Sequence, residues 1–259
     1  MSTPAPTDPP DLGTVVGKVR VILDALASEG RLGLSELARS TSLAKPTVHR
    51  LCRDLVSWGV VERSGSGFRL GDRLFELGQR VPARRMLRDV ALPFMEELLQ
   101  ASGHTVHFGI PGGHDVVYLE RISSRRGEIV PSEVAGRMPM HCTATGKCLL
   151  AFGPPDDVDT LVERGLHPLT GYSIVDPKVL RADLRLTRER GFAIEREEAK
   201  VGFVSVAGPV FQQPGHLVGA ISATGALRRL DISRVGVMVA SSARSISAAL
   251  AARVTDRAE

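Results

Sequence analysis

Between Leu34 and Leu70 the sequence changes from helical to strand periodicity across short polar breaks, and few folds accommodate that order. Leu34-Ser35-Glu36-Leu37-Ala38-Arg39 reads as a short helix, with Ser35 as candidate N-cap offering its hydroxyl to a free backbone N–H. Ser40, Thr41 and Ser42 supply a turn. Pro46 suits the first turn of the next helix, where its missing N–H costs nothing. Val48, Leu51, Cys52 and Leu55 then fall at i, i+3, i+4 and i+7 on one buried face. Gly59 ends that helix. Val60 to Arg63 and Phe68 to Leu70 flank Ser64-Gly65-Ser66-Gly67 as a two-stranded hairpin. Upstream, Val15, Val19, Ile22, Leu23 and Leu26 line one face of a further helix that Gly30 closes. Three helices and a hairpin in this order predict a winged helix-turn-helix over residues 14–76.

With its apolar face committed to a core, the second of these paired helices presents Lys45, Thr47, His49, Arg50 and Arg53 outward, beside Pro46 at its start. Cations and hydrogen-bond donors at the head of such a helix reach base edges and phosphates when the helix enters a major groove. Asp54 is the only acid among them. Charge is distributed in the same sense: residues 1–88 carry 14 Lys+Arg against 9 Asp+Glu, and residues 89–259 carry 19 against 20. A surplus of that size also fits ordinary variation, and some winged helices bind only proteins. The helix face therefore carries the expectation of double-stranded DNA as partner.

The remainder has a different grammar. Residues 1–13 are rich in Pro and Thr, lack the basic start and apolar middle of a secretory signal, and are expected to form a disordered tail. Leu74 to Ser102 is a helical region in which Pro82 and Pro93 are expected to break or kink the helix, and residues 77–102 are assigned as a helical linker. Met86, Leu87, Val90, Phe94, Leu98 and Leu99 can pack on their own domain or on a second subunit. Thr105–Phe108, Val116–Leu119, Glu128–Val130, Phe203–Phe211 and Leu217–Thr224 read as strands, with Pro111 to His114 as a turn. Helices are expected over Thr145–Phe152, Pro155–Arg164, Pro177–Arg190 and Ile232–Ala252. Mixed elements over residues 103–255 predict an α+β domain with a central sheet. The sequence has no uninterrupted apolar run of the ~18–20 residues needed to cross a bilayer. Its three cysteines, Cys52, Cys142 and Cys148, fit a reducing cytoplasm better than an exported disulfide scaffold.

Three stretches in order resemble the IclR family of transcriptional regulators over residues 14–254. The first combines Ser35-Glu36-Leu37-Ala38 with Thr47-Val48-His49-Arg50-Leu51. The second runs from Arg137 to Ala151 and includes His141-Cys142-Thr143-Ala144-Thr145-Gly146-Lys147-Cys148. The third is Gly191-Phe192-Ala193-Ile194-Glu195-Arg196-Glu197-Glu198, followed by Gly202, Ala207-Gly208-Pro209-Val210 and Gly219 to Thr224. Ser42 departs from a common Gly, Ala44 from Ser or Pro, Ser205 from a frequent Cys and Glu195 from a usual Asp. The resemblance implies a GAF-like mixed α/β effector domain, a small metabolite ligand (often a carboxylic acid) and a homodimer or dimer of dimers on DNA. It also implies an effector site drawn from Thr143, Ala144, Thr145, Gly146, Glu195, Ser205, Ala207, Ser222 and Thr224. The chemistry of these residues agrees. Thr143 to Gly146 lie at a helix start, where free N–H groups favour an anion. Ser205, Ser222 and Thr224 lie on strands able to direct hydroxyls into one cavity, and Glu195 can receive a ligand hydroxyl or hold a neighbouring chain. Ordinary cap and sheet hydroxyls are the alternative.

Enzyme readings meet specific obstacles. Thr145-Gly146-Lys147 resembles the end of a phosphate loop, but His141 stands where the loop needs its first Gly and Cys148 where it needs Ser or Thr. His141 and Cys142 suggest a nucleophile or, with Cys148 and His107, a zinc site, yet neither CxxC nor HExxH spacing is present. No catalytic residue, metal or cofactor is therefore expected. The rival reading is a small-molecule enzyme that kept a winged helix.

Overall fold

The computed structural model describes residues 10–123 and 136–255. Of the tail expected over residues 1–13, residues 1–9 lie outside the described residues, as does the expected strand Glu128-Ile129-Val130, while Asp11 accepts the Gly13 and Thr14 N–H groups in a turn. The chain divides into two compact units between Arg85 and Met86.

In the N-terminal unit, α1 (Val15–Glu29), α2 (Leu34–Thr41) and α3 (Lys45–Trp58) surround a core of Ile22, Leu26, Leu37, Val48, Leu51, Cys52 and Leu55. Strands β1 (Leu32–Gly33), β2 (Val61–Ser64) and β3 (Gly67–Leu70) form an antiparallel sheet in the order β1-β3-β2, and Phe68 turns its ring into the same core. Helix α4 (Asp72–Gln79) follows, and none of its side chains is buried. The expected cap of α2 is corrected. Gly33 is the N-cap, its N–H donates to the Glu36 carboxylate at 2.7 Å, and Ser35 sits inside the helix. Pairing of Gly33 with Gly67 in the sheet fixes where the helix begins.

The turn between α2 and α3 carries a strained residue. Ser42 adopts a left-handed conformation with φ 55° and ψ 23°, which costs an L-residue with a Cβ roughly 1–2 kcal/mol. Ser42→Gly is expected to stabilise this unit by about 0.5–1 kcal/mol after the glycine's greater unfolded-state entropy is deducted. A higher midpoint in urea unfolding measures the gain; a lower one contradicts it.

The C-terminal unit is built on a six-stranded antiparallel sheet in the order β6-β5-β4-β9-β8-β7. Its strands are β4 (Thr105–Gly112), β5 (Asp115–Ile122), β6 (Arg137–Pro139), β7 (Ala193–Arg196), β8 (Phe203–Gln213) and β9 (His216–Ala226). Alternation along the strands sorts residues to two faces. Val106, Phe108, Val204, Val206, Ile221 and Ala223 share one core with α5 (Pro82–Ser102) and α9 (Ile232–Thr255). On the other side, Val116, Tyr118, Ala193, Ala207 and Ala220 join a core with α6 (Ala144–Phe152), α7 (Asp156–Arg164) and α8 (Pro177–Arg190).

Most of the segment assigned as a linker belongs to the first of these cores. Leu87, Val90, Ala91, Met95 and Leu98 on α5 are buried there. The helical region expected from Leu74 to Ser102 breaks between α4 and α5, where Pro82 opens the second helix, while Pro93 lies within α5. Helix α9 is long and apolar enough by length and composition to span a membrane. Its stripe of Val235, Val239, Ala243, Ile246 and Leu250 is instead spent on the sheet's core, as expected of a core helix.

Candidate functional site

Two sites emerge, one in each unit. In the N-terminal unit, Lys45, Pro46, His49, Arg50 and Arg53 are exposed on α3 and Thr47 is half-buried. Pro46 occupies the first turn and Gly59 closes the helix in a left-handed conformation. Arg53 makes a surface pair with Asp54 at 3.5 Å, worth little in solvent. Lys45, His49 and Arg50 form no ion pair among the described residues. In the hairpin, Arg69 pairs with Glu62 and the Arg63 guanidinium lies 5.4 Å from the Phe68 ring centroid. The unit thus offers an unencumbered basic and polar helix face beside a basic hairpin.

In the C-terminal unit, strand register builds the site. Thr105 faces Thr224, Thr224 faces Ser205, and Ser205 faces Glu195, forming a polar row across four strands on the α6 side of the sheet. The N-terminus of α6 stands over this row. Thr143 is its N-cap, accepting the Gly146 N–H at 3.0 Å. A cleft forms between the two, lined by His107, Tyr118, Met138, Thr143, Ala144, Glu195, Ala199, Lys200, Phe203, Ser205 and Thr224. Its enclosed space is about 30 Å³, room for one or two waters, so a larger guest requires its walls to part.

Of the nine residues expected at the site, Thr143, Ala144, Glu195, Ser205 and Thr224 are brought together here. The other four pack behind the lining. The Thr145 hydroxyl donates to Ser222 at 3.0 Å, and both are buried. A Cβ on Gly146 would lie 2.3 Å from the Met140 backbone, and Ala207 is buried opposite Ser222. His107 and Tyr118 on β4 and β5, Met138 on β6, the turn residues Ala199 and Lys200, and Phe203 at the start of β8 are further lining residues that the sequence reading does not name for this site. Polar side chains inside otherwise apolar strands were the available signal for His107 and Tyr118.

Burial sets the charge states of the cleft. It pushes the His107 imidazole down to about 3, aided by the Arg121 charge, so this ring is neutral at physiological pH. It pushes the Tyr118 phenol up to about 12 against hydrogen bonds with Thr145 and Thr143. Glu195 is raised to about 7, by burial first and then by the neighbouring Glu198 charge, against hydrogen bonds from the turn. Its Oε1 accepts the backbone N–H groups of Glu198 at 2.6 Å and Ala199 at 3.0 Å. The Lys200 ammonium lies 4.8 Å from the Phe203 ring centroid.

Lys147, the last residue of the phosphate-loop-like triplet, is not part of the cleft lining. It is 1% exposed, and its ammonium meets Glu198 at 2.5 Å, Asp183 at 3.0 Å and the Ile194 carbonyl at 3.2 Å. His141 Nε2 lies 3.0 Å from the His167 carbonyl, to which the Cys142 thiol also points. Among the described residues no group of three or more His, Cys, Asp or Glu is arranged to hold a metal ion.

A winged helix with a free basic helix face, joined in one chain to a sheet domain with a polar cleft, defines the class of DNA-binding regulators with a sensory domain. The profile of the "IclR helix-turn-helix domain" matches residues 15–65, and that of the "Bacterial transcriptional regulator IclR C-terminal" matches residues 79–248. The chain belongs to the IclR family and is a DNA-binding transcriptional regulator. It is 29% identical over 257 residues to the transcriptional repressor IclR of Escherichia coli, covering 95% of this chain and 94% of that protein. It is 31% identical over 245 residues to the regulator KdgR of the same organism, covering 92% and 93%. The crystal structure of an IclR homolog from Microbacterium hydrocarbonoxydans, complexed with 4-hydroxybenzoate, superposes with a TM-score of 0.85. Identity there is 26%, and the match covers 92% of this chain and 100% of that one.

Proposed function

We propose that the protein is a cytoplasmic, ligand-responsive regulator, not an enzyme. A small organic acid in the cleft changes how strongly α3 engages double-stranded DNA. It works as a homodimer or dimer of dimers, each chain supplying one winged helix. The observation that carries the reading is the cleft at the head of α6. The first N–H groups of a helix lack intrahelical partners and the helix dipole favours an anion there, while Lys200 adds a cation and Ser205 and Thr224 add hydroxyls. The 4-hydroxybenzoate complex of the Microbacterium homolog supports an acid of that kind. Lys45, Pro46, Thr47, His49, Arg50 and Arg53 form the DNA contact surface. The coupling requires the acid to bind one arrangement of the protein more tightly than another.

Thermal unfolding of the full chain against a panel of small organic acids and their uncharged amides tests the ligand. A bound acid present at a hundred times its Kd stabilises the fold by about 2.7 kcal/mol. At least one acid is expected to raise the midpoint where its amide does not. A panel in which no acid shifts the midpoint contradicts the reading.

A further inference from the structure

The carboxylate of Glu195 is divided between two tasks. One oxygen, Oε1, is fully used, accepting the N–H groups of Glu198 and Ala199 and so holding the turn that carries Lys200 into the cleft wall ahead of Phe203 on β8. The other, Oε2, has no hydrogen-bond partner among the described residues, although Glu195 is only 2% exposed and lines the cleft. The charges around it do not supply one. Lys147 is committed to Glu198 and Asp183, and Arg190 lies 3.6 Å from Asp183. Lys147 and Arg190 are thus engaged with Glu198 and Asp183, and Glu195 is the carboxylate left at the cleft edge without an ion pair among the described residues.

We infer that Glu195 is a specificity-determining residue: the cleft selects organic acids carrying a hydroxyl that donates to its Oε2, over the same acids without that hydroxyl. This rests on the organic-acid reading above and narrows it. An acid lacking the hydroxyl seals Oε2 away from water without a donor, and burying an unsatisfied polar group is costly. Sites built to bond a hydroxyl reject the analogue lacking it far more strongly than apolar pockets reject an added methylene. A neutral hydroxyl suits the position because the ligand's own carboxylate already brings a negative charge, which must be placed toward Lys200 and the head of α6.

The groups facing Glu195 set the pH range of this preference. They are Glu198 on the turn, Lys147 on α6, Tyr118 on β5, neutral His107 on β4 and Lys200 at the wall. Burial and the Glu198 charge hold Glu195 up to about 7. The ionised form is the stronger acceptor, so the preference is fullest above pH 7 and fades as pH falls through that value.

The test measures Kd by calorimetry on the full chain at pH 8 for two pairs of acids differing by one hydroxyl: lactate with propionate, and 4-hydroxybenzoate with benzoate. The expected result is that the hydroxy acid of at least one pair binds tenfold or more tightly, on the order of one lost hydrogen bond to a charged group. Glu195→Gln retains one oxygen for the two turn N–H groups but turns its amide donor toward the cleft. The ratio is then expected to fall close to one. Equal affinities within both pairs, or an undiminished ratio in Glu195→Gln, overturn the inference. Binding by none of the four acids overturns the organic-acid reading itself, and this inference with it.

Discussion

Lys147→Met is expected to cost the C-terminal unit about 3–5 kcal/mol, the penalty for leaving a buried charge without its partner. The ammonium it removes is 1% exposed and holds Glu198, itself buried, at 2.5 Å and Asp183 at 3.0 Å. Burial already pushes the Glu198 carboxyl above its usual range despite that ammonium. Without Lys147, Glu198 must take up a proton or remain charged in a dry site. The double variant Lys147→Met/Glu198→Met is expected to recover most of the loss, because replacing both members of a buried pair with apolar side chains is often neutral. Urea unfolding of the three proteins measures this through their midpoints. A single variant as stable as the parent shows that the pair is not the tie between α6 and the β7–β8 turn.

Arg50→Ala is expected to weaken binding to DNA from upstream of the protein's own gene about ten- to hundredfold, the 1–3 kcal/mol of one good base or phosphate contact. Arg50 is exposed on α3, while the buried residues of that helix, Val48, Leu51, Cys52 and Leu55, lie on its other face. The fold is therefore expected to survive. Fluorescence anisotropy over a salt series also separates two roles. Loss of a phosphate contact reduces the salt slope by about one and weakens all sequences alike, whereas loss of a base contact relaxes discrimination at one position. Unchanged affinity at low salt removes Arg50 from the interface.

The DNA-binding unit was legible because its core follows one helical period, and Val48, Leu51, Cys52 and Leu55 can face inward together in only one way. The cap of α2 was not, since Gly33 starts that helix through a strand pairing with Gly67 and a reach-back from Glu36, both set by tertiary structure. The fate of residues 86–102 was equally hidden. An apolar helix face announces burial but not its partner, and here the partner is the C-terminal sheet. In the cleft, alternation put Ser205, Ser222 and Thr224 on one face of the sheet, but depth below α6 decides which of them reaches the cavity. Thr145 covers Ser222. Lys200 was out of reach because it enters through a turn in which Glu197, with φ 59°, and Gly202, with φ 85°, take left-handed conformations.

The central claim is that occupancy of the cleft controls the DNA-binding helix. It is tested most directly by measuring the DNA affinity of the full chain by anisotropy, with and without a saturating concentration of an acid that raises its thermal midpoint. The account predicts a change in Kd of at least about fivefold, the lower end of ordinary allosteric coupling, and no change with an acid that leaves the thermal midpoint unmoved. An acid that binds the cleft tightly while leaving DNA affinity untouched contradicts it.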